Sequence, residues 1–154
     1  MKTLNQWFDE YAVSHQNKTN QLIHFVCVPV IYFSIIGLIM SIPAGIIENT
    51  LNLNLPVFEN WAVVFLVFSL FFYLRLSFSM FLKILIFSII CLYGNYYLGT
   101  VTNLFYASLA IFIIAWIGQF YGHKIEGAKP SFLQDLQFLL IGPAWVIKKV
   151  TSKK

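Results

Sequence analysis

Charged residues are scarce in this chain, and their scarcity decides its class. Asp, Glu, Lys and Arg make up 10% of the 154 residues, while apolar residues make up 59% and aromatic residues 18%. A soluble domain usually has roughly 25% charged residues. So few charges cannot cover a soluble globule, and we expect the chain to be solvated by membrane lipid. Its length predicts a single membrane domain over 1–154.

Cysteines, basic runs and familiar catalytic motifs are also few or missing. The two cysteines, Cys27 and Cys91, lie in separate apolar segments, so neither a disulfide framework nor a CxxC metal site is indicated. The net charge is only +4 and no run of five basic residues occurs, so a nucleic-acid partner is not indicated. No GxSxG, SxxK or HExxH pattern is present, which argues against familiar hydrolases. The sequence indicates no oligomeric state.

Apolar segments are abundant, and their lengths predict an all-α integral membrane protein built as a four-helix bundle. Spanning a bilayer takes ~20 apolar residues, and four segments are candidates: 24–47, 61–80, 82–99 and 103–121. A shorter segment, 132–148, is interrupted by Gly142-Pro143 and predicts a re-entrant or interfacial helix. An amphipathic interfacial helix is predicted over 4–15, with one apolar face formed by Leu4, Trp7, Phe8 and Tyr11.

Lys and Arg lie on one side of this predicted arrangement. All ten fall before the first span, near the junction of the second and third, or after the fourth, and segments 48–60 and 100–103 contain none. Because Lys and Arg concentrate in cytoplasmic loops, both termini are expected in the cytoplasm. The first 23 residues hold no early apolar stretch and do not resemble a cleavable signal. A bacterial inner membrane or an endoplasmic reticulum membrane fits this multi-pass topology.

The chain has only three histidines, and the predicted topology brings all of them to the cytoplasmic face. His15 ends the amphipathic helix, His24 begins the first span, and His123 follows the fourth. A bend over residues 16–20, with Asn20 as the predicted N-cap of the span, lets the first two converge. Neutral imidazole binds Fe, Zn, Cu or Ni. The pattern therefore predicts a metal site without naming the metal; the alternative is three interfacial histidines that bind nothing.

Several polar residues accompany these histidines at helical spacing. Gln119 and Glu126 lie about one turn to either side of His123 and share its helix face. Glu126 could be a ligand, a hydrogen-bond partner of His123 or a surface anion. Tyr11 lies one turn before His15. Candidates for contact with an anionic substrate are Lys124 and Lys129, for which a role as interface anchors is the alternative.

Two motifs carry a resemblance to a known family. The first is Tyr11-x3-His15-x4-Asn20-x3-His24-Phe25-x3-Pro29, and the second is Trp116-Ile-x-Gln119-Phe-x-Gly122-His123-x2-Glu126-x3-Pro130. They resemble the signatures of the membrane-bound 2-hydroxy fatty acid dioxygenases, and the likeness extends over nearly the whole chain. The fungal member of that family acts in phytosphingosine breakdown.

The resemblance implies an Fe(II)-dependent oxidoreductase. It would use O2 for the α-oxidation of a 2-hydroxy fatty acid to the fatty acid one carbon shorter, a step of lipid metabolism at the cytoplasmic membrane face. The implied iron ligands are His15, His24 and His123. Residues implied as catalytic, or as partners of the ligands, are Glu126, Gln119, Asn20 and Tyr11. The alkyl tail of the substrate would lie between helices with its polar head at the membrane interface, membrane lipids would surround the protein, and segment 136–147 is expected to cover the site.

A non-enzymatic reading competes with this one. A small membrane protein could use the same histidines as a structural or regulatory metal site. A transporter is disfavoured, because ionisable residues near the bilayer midplane are expected there and the spans offer only residues such as Asn95. A di-iron membrane hydroxylase, which by family resemblance needs about eight histidines, does not fit a chain with three.

Overall fold

The computed structural model describes residues 2–53, 55–127 and 132–151, and every regular element among them is a helix. This confirms the predicted all-helical class, with no strand in the described ranges. The seven helices, in chain order, are α1 (Leu4–Val13), α2 (Lys18–Met40), α3 (Gly45–Leu51), α4 (Trp61–Leu76), α5 (Phe78–Val101), α6 (Leu104–Glu126) and α7 (Phe132–Thr151).

Three of these helices, α2, α5 and α6, are long and apolar enough to cross a membrane. The segment predicted as one span over 61–80 is divided at Ser77, which follows α4 and whose hydroxyl accepts a hydrogen bond from the Met80 amide at the start of α5. The 16 residues of α4 cover about 24 Å, less than the ~30 Å hydrocarbon core. The four-helix bundle and its orientation therefore stay predictions.

The chain forms two compact units, the first of which comprises residues 1–32 and 113–154. In this unit α1 packs against α7. A reciprocal pair of hydrogen bonds between Thr3 and Gln6 starts α1, and its apolar face buries Phe8 and Tyr11. The helix α7 continues through Pro143, whereas the sequence predicted an interruption at Gly142-Pro143.

The connection between α1 and α2 is the polar bend that the sequence predicted, but a different residue caps the helix. The Asn17 side-chain oxygen accepts hydrogen bonds from the amides of Thr19 and Asn20, at 2.9 and 3.4 Å. Asn17 therefore has the capping role predicted for Asn20, and α2 begins at Lys18. The side chain of Asn20 is thereby left for contacts inside the unit.

The second unit comprises residues 33–112 and holds α3, α4, α5 and the remaining parts of α2 and α6. Its α2 portion ends at Met40, shortly before Pro43, and not near residue 47 as predicted. A short helix that was not predicted, α3, follows and ends at Asn52 in the left-handed conformation. The buried Asn95 amide donates to the carbonyls of Phe33 and Cys91, which ties α5 to α2.

Candidate metal centre

Three chain segments each contribute one histidine to a buried cluster in the first unit. His15 lies in the connection after α1, His24 in the second turn of α2, and His123 in the last turn of α6. Their side chains are 2%, 1% and 4% exposed, and one nitrogen of each lies within 4.8 Å of those of the other two. The structure thus brings together the three histidines that the sequence singled out.

The ring of His15 is fixed by its neighbours. Its Nδ1 lies 2.6 Å from the Tyr11 carbonyl oxygen, so this nitrogen donates a proton to the backbone. The ring also stacks on that of Tyr11, with centroids 4.0 Å apart and planes 10° apart. With Nδ1 protonated, Nε2 of neutral His15 carries the lone pair that a metal ion needs.

The ring of His24 lies against Nε2 of His15. Its Nδ1 lies 3.2 Å from His15 Nε2, while its Nε2 is buried without a hydrogen-bond partner among the described residues. If Nδ1 donates to His15, Nε2 is left as a buried acceptor without a donor. Two nitrogens bound to one ion at about 2.1 Å lie about 3.0–3.4 Å apart. The observed separation fits a shared ion, so the donor set is suited to a divalent metal.

Burial keeps His15 in the metal-binding form. Burial lowers the pKa of His15 to about 4; the hydrogen bond to the Tyr11 carbonyl opposes this shift, His123 adds to it and Glu126 opposes it. His15 is therefore neutral at physiological pH. Neutral imidazole is the form that ligates metals.

A small cavity of about 20 Å³ adjoins the cluster. That volume accommodates about one water molecule. Two polar side chains next to His24 face this space: the Tyr11 hydroxyl lies 3.2 Å and the Gln119 amide nitrogen 3.5 Å from His24 Nδ1. The remaining lining is mostly apolar and consists of Val28, Ile31, Tyr32, Trp116, Phe138, Leu139 and Gly142.

Helix α7 supplies a residue that sequence reasoning missed. Trp145 is 3% exposed, and its ring centroid lies 5.2 Å from that of Tyr11 and 5.7 Å from that of His15. It also stacks on Phe25 at 5.8 Å. The sequence expected this segment to cover the site but named no residue, because a short apolar run with one tryptophan has no spacing that points to a histidine.

The other predicted site residues differ in how they relate to the cluster. The Glu126 carboxylate accepts hydrogen bonds from the amides of Gln16 and Asn17 and from the side chain of Asn20. Lys124 is exposed and does not line the cavity. Lys129 lies outside the described residues.

A comparison with known protein families identifies the family of this chain. The whole chain, residues 1–154, matches the family described as Mpo1-like, 2-hydroxy-palmitic acid dioxygenase. The chain belongs to this family. No curated protein and no solved structure matches significantly. The Mpo1-like assignment bears out the resemblance drawn from the two histidine motifs, and its description points to a dioxygenase.

Proposed function

We propose that this protein is a membrane-bound dioxygenase that converts a 2-hydroxy fatty acid and O2 into the fatty acid one carbon shorter, with Fe(II) held by His15, His24 and His123. The observation that carries the proposal is the convergence of three buried histidines in a chain of the Mpo1-like family. The family description names 2-hydroxypalmitic acid, which we take as the first substrate to test.

The proposed reaction balances without a further reductant. Converting the hydroxyl-bearing carbon into a carboxyl removes three electrons, and releasing the old carboxyl carbon as CO2 removes one more. Full reduction of one O2 to the oxidation level of water consumes these four electrons. The products are then the shortened acid, CO2 and water, so the chain needs no site for a nicotinamide or a flavin.

The metal ion, the three imidazoles and two polar side chains each have a task in this proposal. Fe(II), when bound, would supply the redox chemistry that O2 requires and would attract the substrate carboxylate. Three neutral imidazoles add no negative charge, so the anionic head of a 2-hydroxy acid is not repelled. The Tyr11 hydroxyl and the Gln119 amide, both beside His24 Nδ1, would donate hydrogen bonds to the oxygens of that head.

The cavity limits where the rest of the substrate can lie. At about 20 Å³ it is far too small for an alkyl chain, so only the polar head would approach the histidines. His24 and His123 belong to α2 and α6, which are long and apolar enough to cross a membrane. The alkyl tail would therefore lie along these helices, within the membrane. The apolar wall, including Trp116 and Phe138, would exclude bulk water from the oxidation.

The test is turnover by protein reconstituted anaerobically with Fe(II) and then given 2-hydroxypalmitic acid and O2. We expect iron-dependent formation of pentadecanoic acid by the wild type. The variants His15→Ala, His24→Ala and His123→Ala should form none, while Thr100→Ala, an exposed change in the second unit, should retain the full rate.

Two results would contradict the proposal. Product formation without added iron, in protein stripped of metal by chelation, would exclude the metal role. Stoichiometric iron binding with no product from 2-hydroxy acids of any chain length would favour the alternative, a structural or regulatory metal site in a non-enzymatic membrane protein.

A further inference from the structure

Glu126 is the acidic residue nearest in sequence to His123, yet its contacts lead away from the cluster. Its Oε1 accepts from the Gln16 amide at 2.7 Å and from the Asn17 amide at 3.1 Å. Its Oε2 accepts from the Asn17 amide at 2.9 Å and from Asn20 Nδ2 at 2.9 Å. Both carboxylate oxygens are therefore engaged by the segment that links His15 to His24.

The geometry points to Glu126 as a positioning residue that clips the loop after His15 and the first turn of α2 to the end of α6, so that His15 and His24 face His123. The inference rests on the proposed function only in taking these histidines as the metal ligands. The three donors lie one, two and five residues after His15, so a single carboxylate fixes both the loop and the start of α2.

Asn20 completes the clip from the other side. Its side chain is fully buried, and its Nδ2 also reaches the Ser14 carbonyl at 3.3 Å. Asn20 thus joins the residue just before His15 to α6, while lying one helical turn before His24 on α2. Neither Asn20 nor Glu126 needs to touch a metal ion to set the separation of the two imidazoles.

Gly122 explains how α6 comes close enough for this contact. A β-carbon at Gly122 would collide with the Asn20 side-chain oxygen and would lie 3.4 Å from Ile23 Cγ2. The glycine, one turn before Glu126 on α6, leaves space for the buried amide. Gly122 therefore makes room for Asn20, Glu126 binds Asn20 one turn later, and His123 lies between them on the same helix.

Charge explains why the position is a carboxylate. The amides of Gln16 and Asn17 immediately precede α2, whose helix dipole favours an anion at this end. A neutral amide at position 126 would offer one acceptor oxygen in place of two and would turn its own N–H groups toward one of the three donors. Glu126→Gln should therefore loosen the clip although it keeps the size of the side chain.

The first experiment needs no metal and measures hydrogen exchange of the Gln16 and Asn17 amides. We expect protection of these amides in wild-type protein, about tenfold or more faster exchange in Glu126→Ala, which removes both acceptor oxygens, and no change in Glu10→Ala, which removes an exposed carboxylate that pairs with Lys2. Unchanged exchange in Glu126→Ala would overturn the inference.

The second experiment is a reciprocal-rescue cycle read out by Co(II) binding. Asn20→Asp should bury a second carboxylate against Glu126 and weaken Co(II) binding by about tenfold or more, as should Glu126→Gln. In the double variant the introduced amide can donate to the introduced carboxylate, so binding should recover to at least about tenfold tighter than in either single variant. No recovery would overturn the pairing.

The Co(II) absorption spectrum separates positioning from ligation. If Glu126 acts only by positioning, Glu126→Gln filled with excess Co(II) should show the ligand-field bands of the wild type. Shifted bands at saturation would make Glu126 a ligand and overturn the inference. Neither readout uses substrate, so the two proposals can fail separately. If the variants behave as expected in exchange and Co(II) binding but the wild type forms no pentadecanoic acid, only the proposed function is contradicted. If the wild type turns over but metal binding does not depend on Glu126 and Asn20, only this inference is contradicted.

Discussion

His15 Nε2 and His24 Nδ1 lie 3.2 Å apart in a site where neither ring is more than 2% exposed. Because the Tyr11 carbonyl takes the proton of His15 Nδ1, the two nitrogens can share one proton or one cation. In the second choice both nitrogens direct their lone pairs at the cation, and the proton of the His24 ring lies on Nε2. This relationship between two rings, with His123 beside them, is the core of the candidate metal centre.

The first prediction concerns the loss of either ring. His15→Ala and His24→Ala should each weaken Fe(II) or Co(II) binding by more than about 100-fold, since changing mere partners of metal ligands already costs 10- to 100-fold. Competition with a chromophoric chelator under anaerobic conditions measures this. Loss in one variant and wild-type affinity in the other would show that the 3.2 Å contact is only a hydrogen bond.

The second prediction separates the two roles of Tyr11. Tyr11→Phe keeps the ring stacked on His15 and the backbone carbonyl that orients it, but removes the hydroxyl beside His24. Metal affinity should therefore stay within about threefold of wild type, while kcat/KM falls by about fivefold through loss of one hydrogen bond of about 1 kcal/mol. Steady-state kinetics beside a metal titration checks both.

A matched control for this prediction is Tyr121→Phe, which removes an exposed hydroxyl from α6 and should leave both quantities unchanged. A Tyr11→Phe variant with normal kcat/KM would remove the hydroxyl from the substrate-binding groups.

The convergence of the histidines could be predicted because it depends on topology more than on contacts. The one-sided distribution of Lys and Arg predicts one membrane face for His15, His24 and His123, and the motifs add their family context. The task of Glu126 was not predictable in the same way. Its position one turn after His123 is compatible with a ligand, whereas its real partners belong to a loop more than a hundred residues earlier in the chain.

Helix boundaries within apolar stretches were less predictable, for a physical reason. Ser77 divides α4 from α5 in a run with no Pro or Gly, where apolar composition does not show a break. Asn17 and Asn20 are equally good caps by residue type, and only the surroundings select Asn17. In the same way, Trp145 reaches His15 through the packing of α1 against α7, which no local pattern encodes.

The third prediction tests the packing of the second unit. A β-carbon at Gly37 would collide with the side-chain oxygens of Asn95 and Ser108, so Gly37→Ala should lower the free energy of unfolding by about 1–3 kcal/mol. Gly45→Ala is the matched control, because a β-carbon there meets nothing within 4 Å. Unfolding in detergent by SDS titration measures both. Equal stability of the two variants would contradict the close approach of these side chains to Gly37.

The last prediction concerns Trp145, whose ring contacts Tyr11, His15 and Phe25. Trp145→Ala should lower the free energy of unfolding by about 3–5 kcal/mol, because it removes a large buried side chain. It should also admit water to the cavity and loosen His15, so that O2 consumption exceeds pentadecanoic acid formation. Trp145→Phe, which keeps an aromatic ring, should lose less on both counts.

The control for Trp145 is Trp61→Ala in the second unit, where the indole nitrogen donates to the Pro43 carbonyl. Parallel measurement of O2 uptake and acid product under limiting substrate separates stability from coupling. Trp61→Ala should lower stability while O2 and product stay in the wild-type ratio. If Trp145→Ala kept that ratio too, Trp145 would support the fold alone, and exclusion of water at the histidines would have to come from the apolar residues that line the cavity, such as Trp116 and Phe138.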